Sequence, residues 1–139
     1  MYSVAESTFD DTPSIVLRDE SLDQEAVVLP GIGANCVSYR IPHGSERVDV
    51  LFPPPDAATL RERPSGYGVP ILYPWPNRIE DSRFAFDGID VQLEVEDPSR
   101  PHVLHGFVMG RPWTVTGMGA SDDEGAFVRC RFDSKDVLG

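Results

Sequence analysis

The chain has 139 residues, 40% of them hydrophobic, enough to bury the core of one globular domain and unlike a disordered composition. Twenty-three acidic against twelve basic residues give a formal charge of -11, which argues against nucleic acid and anionic membrane surfaces as partners and leaves small neutral or locally matched ligands. The N-terminus has neither a basic n-region nor an apolar h-region and no apolar run approaches a membrane span, so the expected compartment is cytoplasmic.

Period-two alternation recurs along the chain and sustained helical periodicity is nearly absent, which predicts an all-β protein. Residues 14–18, 25–29 and 34–41 read as short strands, with Pro30-Gly31-Ile32-Gly33 as a turn between the second and third. Residues 47–52 alternate and place Val48, Val50 and Phe52 on one face. A turn or two of helix is expected at 56–63, capped by Asp56 and flanked by prolines. In 68–79, Pro70, Pro74 and Pro76 fix φ and remove backbone donors, so this segment is neither a helix interior nor a central strand. Residues 83–86 and 89–95 flank Asp87-Gly88 and predict a hairpin, with Ile89, Val91, Leu93 and Val95 on one face of its second strand. Residues 113–116 and 126–132 complete the set, the latter with Val128, Cys130 and Phe132 facing away from Arg129 and Arg131. Residues 134–139 follow without a closing element. The chain therefore reads as an incomplete portion of a longer polypeptide, with exposed sheet edges open to self-association.

The proline-rich arm ends in Asn77-Arg78. A planar guanidinium with five donors beside an amide that both donates and accepts is suited to ligand hydroxyl or carboxylate oxygens. A second element, His102-Val103-Leu104-His105-Gly106-Phe107, offers an imidazole that donates or changes protonation near neutrality, beside a glycine that permits close approach. His102 and His105 lack a third ligand for zinc, and no metal is expected. Cys36 and Cys130, far apart and in strand-like runs, favour reduced buried thiols over a disulfide. Gly31-Ile32-Gly33 begins like a dinucleotide fingerprint, but Cys36 stands at the third glycine position and no helix follows. Trp75, Trp113, Tyr73 and Phe107 form either an aromatic platform for a sugar ring or ordinary packing.

The run from Pro70 to Ile79, the hairpin around Phe84-Ala85-Phe86-Asp87-Gly88, and then Leu104-His105-Gly106-Phe107 with Arg111-Pro112-Trp113 together resemble the aldose 1-epimerase (galactose mutarotase) family in order and spacing. Pro30-Gly31 with Gly33-Ala34-Asn35 also looks like that family's opening strands, so the similarity covers nearly the whole chain. One departure is His102, where many members carry asparagine. The resemblance implies a galactose mutarotase-like antiparallel β-sandwich, of which residues 1–139 are the N-terminal part of a single domain. It implies an isomerase that interconverts the α and β anomers of a free aldohexose such as glucose or galactose by acid/base ring opening, with no cofactor. By the same resemblance His105 is the catalytic histidine near the ring oxygen, Arg78 the sugar-binding arginine, and Asn77 and Phe107 neighbouring substrate contacts. The family's second histidine, its binding aspartate and its glutamate base come from a later part of a longer chain. Two alternatives stay open: a hexose-6-phosphate 1-epimerase, with Arg78, Arg83, Arg100 and Arg111 aimed at the phosphate, and a non-catalytic carbohydrate-binding module.

Overall fold

In the computed structural model, which describes residues 1–95 and 98–135, antiparallel strands dominate, interrupted by one short α-helix and a 3-10 turn at Glu80–Ser82. Contacts divide the chain into two compact units, Met1–Ile71 with Val108–Gly139, and Leu72–Phe107. Among the described residues no helix is long and apolar enough to cross a membrane.

The first unit is built on a five-stranded meander in the order β1 (Tyr2–Phe9), β2 (Thr12–Asp19), β3 (Gln24–Leu29), β4 (Asn35–His43) and β5 (Glu46–Asp49). The β1–β2 hairpin turns at Asp10-Asp11, both with positive φ (47° and 58°), the geometry that matches the twist of a two-residue hairpin. Asp10 also accepts the Ala57 N–H at 3.0 Å and so ties the start of α1 (Ala57–Glu62) to this turn. Asp56 caps that helix as expected, accepting the Thr59 N–H at 2.6 Å. Leu29, Ile32, Val37, Ala57 and Leu60 form the core, with Phe9, Val27 and Tyr67 packed around it.

The Pro30–Gly33 turn is held by the Ile32 N–H on Leu29 O and by the Gly33 N–H on Arg111 O at 2.8 Å. Gly33 has a φ of 70°, and a Cβ there would stand 1.8 Å from Met109 O, so backbone approach requires glycine. Buried Asn35 spans β4 and the following segment, donating to Tyr67 O at 3.0 Å and accepting the Val69 N–H at 2.8 Å. That anchors the start of the proline-rich arm. A second hairpin, β10 (Thr114–Ser121) with β11 (Gly125–Arg131), carries a bulge between Val115 and Gly117.

Some expectations change. The strand expected at 47–52 ends at Asp49, whose carboxylate accepts the N–H groups of Tyr39 and Leu51 and turns the chain into a loop. Val50 and Phe52 are exposed in consequence, Phe52 stacking on Tyr67 at 5.4 Å. The thiols of Cys36 and Cys130 are unbridged and half-buried.

The second unit holds the ladder of β6 (Arg78–Ile79) with β9 (Val103–Leu104) and the hairpin of β7 (Arg83–Phe86) with β8 (Ile89–Gln92). The hairpin turns at Asp87-Gly88, both with positive φ, as the sequence predicts. Its second strand is shorter than the expected 89–95, although the Leu93 N–H still bonds Ser82 O at 2.8 Å. Register puts Phe84, Phe86, Ile89 and Val91 on one face.

Candidate functional site

All four residues singled out for the site lie in the second unit. The arm first meets the 105–107 segment through its backbone, where the Phe107 N–H donates to Tyr73 O at 2.8 Å beside a bridge between Tyr73 and Gly106. Gly106 has a φ of 71°, and a Cβ on it would lie 1.9 Å from Tyr73 O. No other residue fits without moving the arm. The rings of Trp75 and Phe107 then meet edge-to-face at 4.8 Å, a favourable aromatic geometry that fixes the arm a second time. Trp113 packs instead on Phe132, at 5.6 Å within the first unit.

Asn77 and His105 come together directly. The His105 N–H donates to Asn77 O at 2.9 Å, and the Asn77 N–H donates back to His105 Nδ1, also at 2.9 Å. Both residues are left-handed, with φ of 65° and 64°, a region that asparagine and histidine enter more often than most other non-glycine residues. Because Nδ1 is spent as an acceptor, a neutral His105 ring carries its proton on Nε2 and is a donor there.

Arg78 follows in β6, opposite Leu104 and so one residue from His105 in register. Its own N–H donates to Asn77 Oδ1 at 2.9 Å, which occupies that oxygen and leaves the Asn77 amide nitrogen to other partners. The Arg78 side chain is exposed, and among the described residues its guanidinium has neither an ion pair nor a hydrogen bond. Arg83 differs, pairing with Asp90 across the hairpin at 3.4 Å.

Sequence reasoning missed the far end of the same ladder. There the Asp81 N–H donates to His102 Nδ1 at 2.8 Å, while buried Ser82 donates to Pro101 O at 2.5 Å and accepts the Val103 N–H at 2.9 Å. The spacing of the two histidines drew attention as a metal pair. What they share is that Nδ1 accepts the N–H of a left-handed residue on the facing segment.

The family model described as Aldose 1-epimerase matches residues 13–137. The uncharacterised Escherichia coli (strain K12) protein YihR is 30% identical over 60 residues, covering 43% of this chain and 20% of YihR. A crystal structure of a galactose mutarotase-like protein from Clostridium acetobutylicum superposes with a TM-score of 0.77 at 25% identity, covering 91% of this chain and 37% of that protein. The chain therefore spans well under half the length of either relative, and its antiparallel strands match part of a mutarotase-like sandwich.

Proposed function

The chain belongs to the aldose 1-epimerase family, and from that premise we propose that it carries the sugar-binding arginine and one acid/base histidine of a mutarotase acting on a free aldohexose such as glucose or galactose. The observation that supports this most is the reciprocal Asn77–His105 bond, which sets the Nε2–H of a neutral His105 as donor one register position from a guanidinium that is unpaired among the described residues. Arg78 holds sugar hydroxyls through its fork, with Asn77 Nδ2 beside it and Phe107 against the ring. His105 donates to the ring oxygen while a base takes the anomeric hydroxyl proton; the C–O bond of the ring breaks, the aldehyde rotates, and the steps reverse on its other face. The base is assigned to no residue of these 139.

A phosphorylated sugar is the weaker reading, because Arg83, which it would enlist, is already paired with Asp90. Losing a positioned acid or base costs about 10²- to 10⁴-fold, so these 139 residues bind sugar but catalyse little on their own. Polarimetry of α-galactose relaxation, run beside a titration of galactose against glucose 6-phosphate, tests both halves. Binding of galactose in preference to the phosphate with little added rate is expected; a robust rate, or preference for the phosphate, contradicts the proposal.

A further inference from the structure

We infer that His102 is a positioning residue for the Arg78–His105 pair, its Nδ1 accepting the Asp81 N–H at 2.8 Å and so fixing the turn that ends β6. The inference rests on reading Arg78 and His105 as sugar-binding groups. Their ladder pairs only Arg78 with Leu104 and Ile79 with Val103. Two-stranded pairings are marginal without outside support, so the direction of both side chains depends on cross-links at the ladder's ends.

One end is closed by Asn77 and His105. At the other, Asp81 and Ser82 follow one another in the left-handed region, with φ of 50° and 53°, which such residues keep only where their surroundings over-determine them. The Ser82 hydroxyl is fully engaged by Pro101 O and the Val103 N–H. The Asp81 N–H depends on His102. Because His102 is exposed, its ring fills no core space, and losing it removes an acceptor without opening a cavity. The Asp81 carboxylate lies 3.9 Å from Nδ1, beyond hydrogen-bond distance, so the contact between the two residues is the one made by the Asp81 N–H.

An asparagine carries an acceptor oxygen close to where Nδ1 stands, so His102→Asn keeps the bond and His102→Ala deletes it. The test uses the ¹⁵N-labelled 139-residue chain as wild type and both variants, reading amide exchange at Val103 and His105 and the dissociation constant for galactose. For His102→Ala, exchange at both amides and the dissociation constant are each expected to rise about three- to tenfold, the equivalent of one net hydrogen bond. Amides of β1 to β5 should keep wild-type protection, and His102→Asn should match wild type throughout. Unchanged His105 exchange in His102→Ala, faster exchange without weaker galactose binding, or a His102→Asn variant as impaired as His102→Ala would each overturn the inference. If wild type takes up no galactose, the sugar reading fails instead, and positioning is judged on the His105 amide and its rescue by asparagine.

Discussion

Asn77 and His105 exchange two hydrogen bonds of 2.9 Å, one between their backbones and one from the Asn77 N–H to the imidazole Nδ1. A loop histidine is thereby held at both its backbone and its ring. The bond assigns the neutral tautomer, and the two-residue ladder that follows puts Arg78 beside it.

Gly106 makes that arrangement possible, since the arm passes where its Cβ would be, 1.9 Å from Tyr73 O. Replacement by alanine adds a positive-φ penalty to that clash, and about 3 kcal/mol or more of destabilisation is expected in the second unit. Amide exchange across 72–107 reads the loss. Wild-type protection there in Gly106→Ala would show that the arm is not pinned at this point.

Much of this architecture is legible in the residues themselves. Asp87-Gly88 specified its hairpin because both positions need positive φ, and Asp56 announced the helix because its oxygen caps an otherwise free N–H. β1 left no such mark: Glu6, Ser7 and Thr8 break the alternation, and the strand exists because its backbone pairs along its whole length with β2. Gly117 and Gly119 hid most of β10 in the same way. Arg78 and His105 stood out by chemistry, whereas the His102–Asp81 bond did not, because Asp81-Ser82 turns left-handed with no glycine beside it to mark the turn, as Gly88 marks Asp87.

Acid should weaken the first unit. Burial alone would raise the Asp49 carboxyl, but the Ser38 hydroxyl, the Tyr39 and Leu51 N–H groups and Arg40 outweigh it and hold it below its ordinary 3.8. Asp19 and Asp56 are lowered too, chiefly by the Ser21 hydroxyl and the Thr59 N–H respectively. A carboxylate lowered by folding contributes stability above its unfolded pKa, and that contribution is lost as pH falls through the folded value. Denaturant unfolding should therefore show stability level above about pH 5 and declining below about pH 4. Asp49→Asn should be less stable than wild type at neutral pH, with the gap closing on acidification. A gap constant with pH would contradict this role for Asp49.

Burial pushes the Cys36 and Cys130 thiols up from their ordinary value, leaving less thiolate at neutral pH. Ellman's reagent should modify both more slowly in the native chain than in urea at the same pH. Equal rates in the two conditions would mean that neither thiol is sheltered.

The most direct test is a double-mutant cycle on galactose binding with wild type, Arg78→Ala, His105→Ala and the pair, measured on the 139-residue chain by calorimetric titration. If the guanidinium and the imidazole contact one sugar ring, each single change weakens binding and the double change departs from additivity by about 0.5 kcal/mol or more. Strictly additive losses, or galactose binding left intact in Arg78→Ala, would contradict a shared site.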